Sequence, residues 1–198
     1  MMKKVIGLTG SIASGKSTVS NKLKQLGYKI IDCDEINHKL LKKDNLGYVS
    51  VLEEFGSLIL DQSLEIDRKK LGSIIFNNKA SKEKLNQILH PLIKSVVMDE
   101  IKKVEDGLVF LDCPLLFETD FHELCDLNIV VYVNMDTQIH RLMERDNITF
   151  PEALKKIYAQ MSLDEKLAMA DYVLDNCHSL NDLDWQIKQL LFRLERMM

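Results

Sequence analysis

Eight residues near the amino end, Gly10-Ser11-Ile12-Ala13-Ser14-Gly15-Lys16-Ser17, carry the spacing G-x-x-x-x-G-K-S. Residues of these types in this order suit one task, the cradling of phosphate groups. A chain that leaves a strand and turns at once into a helix leaves backbone N–H groups aimed into the turn, where the helix dipole also favours negative charge. Gly10 and Gly15 allow backbone angles and close approaches that a Cβ would block. Lys16 reaches the β and γ phosphates of a nucleotide as a point charge, and the Ser17 hydroxyl is a ligand for Mg²⁺. The flanks fit as well. Lys4 to Thr9 is an apolar run of strand length, and Ser17 to Leu26 continues as a helix with Val19, Leu23 and Leu26 on one face.

Other candidate groups follow along the chain. Tyr28 to Asp34 reads as a second strand ending in two carboxylates, Asp32 and Asp34. Period-2 alternation puts both on one side at the carboxyl end, where open α/β sheets bind ligands; the competing reading has Asp34 capping a helix over Glu35 to Lys43. Leu108 to Leu111 is continuously apolar and closes on Asp112, the pattern of a Walker B strand whose acid holds Mg²⁺ through water. Beyond it, Leu115, Leu116 and Phe117 either line an apolar substrate groove or belong to the core. Pro91 predicts a kink or break that aims His90 in a new direction, although a histidine with satisfied hydrogen bonds is the plain alternative. Arg141 and Arg145 share one helical face. Over a bound nucleotide they can neutralise a transferring phosphoryl group as a lid closes; otherwise they pair with Glu144 and Asp146 on a solvated helix.

The elements that must position these groups are legible in the hydrophobic pattern. Asn128 to Val133 and Ala170 to Asn176 supply two further strands, and strands separated by helical patterns imply a parallel sheet covered on both faces. From Ile36 to Val104 the pattern is helix after helix, with one helix over Asp67 to Phe76 and Ser81 as the N-cap of another. Thr149-Phe-Pro-Glu152 has capping-box spacing, opening a helix through Gln160, and Ser179 to Met197 carries a leucine stripe of core type. The 198 residues are 46% hydrophobic and carry a net charge of −4, which argues against a general nucleic-acid or membrane-surface binder. Four cysteines without C-x-x-C pairs or metal-ligand spacing to the histidines point to a reducing cytoplasm and not to a disulfide or zinc framework. No signal-peptide core or membrane-length apolar run is present. A nucleotide switch is a competing class, since Asp44-Asn-Leu-Gly47 mimics D-x-x-G, but no apolar strand leads into it and no N-K-x-D follows.

Taken in order, Gly7 to Thr18, Ile31 to Asp34, Leu89-His-Pro91, Asp112 to Glu118, Arg145-Asp146 with Gln160, and Ala170 to Asn176 resemble the dephospho-CoA kinases along essentially the whole chain. Ser11 and Ala13 stand where that family often has glycine, and Cys33 replaces its usual alanine; Cys33 and Cys113 raise a question of thiol reactivity that exposure would settle. The resemblance implies a P-loop kinase fold, an α/β architecture with a five-stranded parallel sheet. Its nucleotide-binding core comprises 1–35, 105–135 and 167–198, with an inserted helical acceptor region at 36–104 and a helical lid at 136–166. It implies transfer of the ATP γ-phosphoryl group, with Mg²⁺, to the ribose 3'-hydroxyl of dephospho-CoA. Gly10, Ser11, Ala13, Ser14, Gly15, Lys16, Ser17, Thr18 and Asn176 then hold ATP, and Ser17 and Asp112 the metal. Asp34 accepts the hydroxyl proton, Lys16, Arg141 and Arg145 neutralise charge, and His90, Pro114, Leu115, Leu116 and Phe117 join Asp34 in contacting the acceptor. It also implies a cytoplasmic protein that is a monomer or weak homo-oligomer, with no nucleic-acid or membrane partner. Another P-loop small-molecule or nucleoside monophosphate kinase is the nearest rival, because fold does not fix substrate.

Overall fold

The computed structural model describes residues 3–198. Five strands, β1 (Lys4–Gly10), β2 (Lys29–Asp32), β3 (Leu108–Asp112), β4 (Leu127–Tyr132) and β5 (Tyr172–Asp175), form one sheet in the order β2-β3-β1-β4-β5. Around them run α1 (Lys16–Gln25), α2 (Cys33–Leu40), α3 (Leu46–Phe55), α4 (Arg68–Asn77) and α5 (Lys79–Lys102), then α6 (Met135–Asp146), α7 (Phe150–Tyr158), α8 (Leu163–Ala168) and α9 (Leu180–Glu195). The chain divides into two compact units, one running to Ile31 and resuming over Ile101–Met198, the other Asp32–Glu100.

In the first unit β1 pairs in parallel with β3 and β4, and β4 with β5. Parallel strands are covered on both faces, so they read as apolar runs, and β3 is buried at every position. Ile6, Leu8, Phe110, Ile129 and Val131 pack with Val19 and Leu23 of α1 and with Leu183, Ile187, Leu190, Leu191 and Leu194 of α9. The leucine stripe of the last helix is therefore core. Register places Asp112 beside Leu8 and Gly10 beside Val131, which brings the ends of β3 and β4 to the start of the loop after β1.

The second unit is helical, and here three local expectations change. β2 stops at Asp32, whose carboxylate caps α2 by accepting from the N–H groups of Asp34 (2.9 Å) and Glu35 (3.0 Å). Asp34 thus lies in the first helical turn, not in a strand beside Asp32, and the cap is Asp32. Helix α5 continues through Pro91 without a break. Its buried stripe, Leu85, Leu89, Ile93 and Val97, spans both sides of the proline, so packing holds a helix that lacks one N–H donor to the Gln87 carbonyl. Asn78, not Ser81, caps it, accepting from the Ser81 N–H at 3.1 Å. Elsewhere, α4 begins after its Asp67 cap, and α7 has the Thr149–Glu152 capping box read from the sequence. Helix α8 was not legible; a Ser162–Glu165 capping box starts it.

Candidate active site

The loop between β1 and α1 is built on two left-handed residues, Ala13 (φ 60°) and Gly15 (φ 89°), and closes with the Ser14 N–H donating to the Ser11 carbonyl at 3.0 Å. Gly15 serves a second purpose. A Cβ there would run into the Asn176 side-chain amide, and one at Gly10 would stand 2.9 Å from the Val131 carbonyl. Ala13 accepts the left-handed conformation with a Cβ, at a cost of about 1–2 kcal/mol. The surrounding contacts must hold it.

Those contacts come from four elements. Asn176, buried just after β5, donates from Nδ2 to the Ser14 carbonyl at 2.8 Å, while its own N–H donates to the Tyr132 carbonyl at 2.9 Å. Its carbonyl accepts from Nη2 of Arg141 at 3.1 Å, which anchors that guanidinium beside the loop. The Ile12 peptide is held on both sides: its N–H donates to Oε1 of Gln160 at 2.9 Å, and its carbonyl accepts from Nε2 of Gln138 at 2.8 Å. The Ile12 side chain packs with Ile139 and Leu142 of α6 and Ala153 of α7. Lys16 forms an ion pair with the buried carboxylate of Asp112. A P-loop lysine and the acid closing the neighbouring strand are thus in direct contact.

Gly10 to Thr18, Asp112, Arg141 and Asn176 are brought together in the first unit. Arg145 is not among them. It is exposed and donates to Asp146 at 2.8 and 3.4 Å, and Lys156 joins the same carboxylate at 2.6 Å, tying α6 to α7. The bonds from Arg145 and then Lys156 hold the Asp146 carboxyl down at about 2. Pro114 presents its carbonyl to the Thr9 hydroxyl (3.1 Å) and to Lys166 (3.0 Å). Leu116 and Phe117 are buried core residues, and only Leu115 of that trio is exposed. Asp34 and His90 belong to the second unit, where burial lowers the His90 pKa and favours its neutral form. Cys33 and Cys113 are both buried, so neither thiol is presented to solvent.

Sequence reasoning gave no role to Gln138, Gln160 or Lys166. Lys166 has no exposed surface and pairs with Glu118 at 2.9 Å. Nothing in its residue type marks it, since lysines are almost never fully buried. A cavity of about 520 Å³ beside the loop, lined by Ser11, Tyr132, Gln138, Gln160 and Asp164 among others, has no lysine or arginine in its wall and is poorly suited to phosphate. For Mg²⁺, exposed Ser17 at the start of α1 and the carboxylate of Asp112 are the fitting donors. Among the described residues no three His, Cys, Asp or Glu side chains converge as a metal group.

The family model for CoaE, dephospho-CoA kinase, matches residues 4–182. The chain belongs to the dephospho-CoA kinase family. A dephospho-CoA kinase of Listeria innocua serovar 6a is 43% identical over 198 residues, covering 98% of both chains. The solved dephospho-CoA kinase from Campylobacter jejuni superposes with a TM-score of 0.73 at 31% identity, covering 98% of both chains. A crystal structure from Thermus thermophilus reaches 0.82 at 30% identity, covering 98% of this chain and 99% of the other. The P-loop kinase fold is thereby shared along the whole dephospho-CoA kinase sequence. Among the described residues no helix is long and apolar enough to cross a membrane.

Proposed function

We infer that the protein transfers the γ-phosphoryl group of ATP to the ribose 3'-hydroxyl of dephospho-CoA, giving CoA and ADP in the final step of CoA synthesis. What carries this reading is a complete phosphate loop, with its lysine held on the acid that ends β3, in a chain that matches the dephospho-CoA kinase family from residue 4 to 182.

Phosphoryl transfer asks a protein mainly for alignment and charge neutralisation. The N–H groups of Ala13, Gly15, Lys16 and Ser17, at the loop and the N-terminus of α1, receive the phosphates. Lys16 moves from Asp112 onto the β and γ oxygens, and Arg141, held by the Asn176 carbonyl, adds a second positive charge. Mg²⁺, when bound, neutralises phosphate charge, with Ser17 and Asp112 as its protein donors. Asp34 accepts the proton as the 3'-hydroxyl attacks phosphorus and the bond to the ADP oxygen breaks. His90, Pro114 and Leu115 contact the acceptor in this reading, while Leu116 and Phe117 support their loop from within. Residues 136–166 form the lid; its 160–166 end stays anchored while the part carrying Arg145 closes, with Arg145 leaving Asp146 for the phosphates. The protein works in the cytoplasm as a monomer or weak homo-oligomer.

The test mixes purified protein with ATP, Mg²⁺ and dephospho-CoA, follows CoA and ADP together, and runs nucleoside monophosphates as parallel acceptors. Equal yields of CoA and ADP, lost in Lys16→Ala, are expected. Turnover only with another acceptor overturns the substrate assignment.

A further inference from the structure

Lys166 is a buried cation that the transfer chemistry does not call on. Its Nζ lies 2.9 Å from Oε1 of Glu118 and donates to the Pro114 carbonyl at 3.0 Å, and no part of the residue reaches solvent. Pro114 and Glu118 both belong to the loop that follows Asp112. Its first residues are fixed to β1, the Cys113 N–H donating to the Leu8 carbonyl at 3.0 Å and the Thr9 hydroxyl to the Pro114 carbonyl at 3.1 Å. Glu118 also accepts from the Met161 N–H at 3.3 Å. The residue before Met161 is Gln160, which holds Ile12 at the tip of the phosphate loop. Seven consecutive residues, Gln160 to Lys166, therefore grip two separate loops: the one that receives phosphate and the one that leaves β3 directly after Asp112, the partner of Lys16.

Stability alone does not account for a buried lysine. Removing an ammonium and a carboxylate from water costs more than their attraction commonly returns, and well-packed apolar residues of similar volume are often equally stable in such places. A buried pair does something that an apolar pair cannot, which is to fix direction: Lys166 must point at two particular oxygens, and those oxygens lie on one loop. Small errors matter in this neighbourhood, because a displacement of about 1 Å between reacting groups can lower a rate about a hundredfold.

We propose that Gln160 to Lys166 form a strut that sets the distance between the phosphate loop and the loop after β3, with Lys166 as its positioning residue through Glu118 and Pro114. The inference rests on the kinase reading above. In it, Lys166 touches neither substrate; it governs where the loop leaving Asp112 stands relative to the phosphate loop when the γ-phosphoryl group moves.

The experiment compares wild-type protein with Lys166→Met/Glu118→Gln, which removes both charges at once, and with Gln160→Leu, which cuts the tie to Ile12 at a partly exposed position. Expected for the double variant is a melting temperature within a few degrees of wild type, a kcat lower by about tenfold or more, and a KM for ATP changed less than about threefold. Gln160→Leu lowers kcat in the same sense. A double variant that melts normally and keeps wild-type kcat overturns the proposal, because the pair is then only structural. If that variant does not fold, Gln160→Leu decides: unchanged kcat overturns the strut. If wild-type protein makes no CoA, the kinase reading falls separately, and amide hydrogen exchange decides the strut. Faster exchange over Ile12 to Gly15 and Cys113 to Glu118 in the folded variants supports it; unchanged exchange there overturns it.

Discussion

At the scale of single residues, the phosphate loop is a conformation held from outside, and Asn176 is its chief support. Its side-chain amide satisfies the Ser14 carbonyl in a place closed to water, and its carbonyl fixes Arg141. Asn176→Ala leaves the Ser14 carbonyl unpaired, which costs about 1–3 kcal/mol and lets the loop move. Thermal melting and ADP titration are expected to show both effects, lower stability and weaker nucleotide binding; unaltered ADP affinity sinks the role given to Asn176. Gly15→Ala is the sharper variant. It combines a left-handed φ of 89° with a collision on Asn176, so it loses nucleotide binding even where the protein still folds. Gly10, Gly15, Lys16 and Ser17 were readable because each has one physical job at one spacing. Asn176 was readable only through family resemblance, and Gln138 not at all. A glutamine on a polar helix looks like a solvated residue until the fold shows that both polar atoms of the Ile12 peptide need partners.

Elements carry two further predictions. Helices α6 and α7 are tied at Asp146, whose carboxyl is held at about 2 by Arg145 and Lys156. A carboxyl whose folded pKa is depressed contributes stability above its ordinary value near 4 and loses that contribution as pH falls toward 2. Asp146→Asn should therefore melt below wild type at pH 7, with the difference shrinking between about pH 4 and pH 2; an equal difference throughout argues against the tie. In α5, Pro91 is exposed and interrupts one helical hydrogen bond within a continuous helix. Pro91→Ala restores a donor to the Gln87 carbonyl at a position where proline costs up to about 3 kcal/mol, partly offset by the freer unfolded chain. A higher melting temperature is expected, and a lower one would mean that the proline shapes the helix after all. The sequence predicted a break because local rules govern residues 90 and 91, whereas the buried stripe from Leu85 to Val97 acts over the full length of α5. The same contest explains β2. Alternation carried the strand to Asp34, but Asp32 gains two backbone donors by starting the helix earlier. The strands of the sheet interior were legible because burial on both faces leaves an apolar run that little else imitates.

For the whole molecule, the proposed reaction divides its tasks between the two units. The groups proposed to hold nucleotide phosphate come from β1, β3, α6 and the end of β5, all in the first unit, and they are joined across as many as 162 residues of sequence by Asn176 and Ser14. The proposed base, Asp34, opens the second unit at the first turn of α2, where Asp32 already performs the capping. That arrangement leaves the Asp34 carboxylate unneeded for the cap and predicts a clean split in the kinetics. Asp34→Asn should keep the KM for ATP and the affinity for ADP within about threefold of wild type, because Asp34 belongs to the second unit and the groups proposed to hold phosphate belong to the first. Its kcat with dephospho-CoA should fall by about 10²–10⁴, the usual contribution of a positioned general base. Lys16→Ala should do the reverse at the binding step, weakening ADP as well as abolishing turnover. Steady-state kinetics with isothermal titration of ADP distinguishes the two variants. Loss of ADP affinity in Asp34→Asn would show that the units do not divide the work in this way, and near wild-type turnover would remove Asp34 as the group that takes the proton.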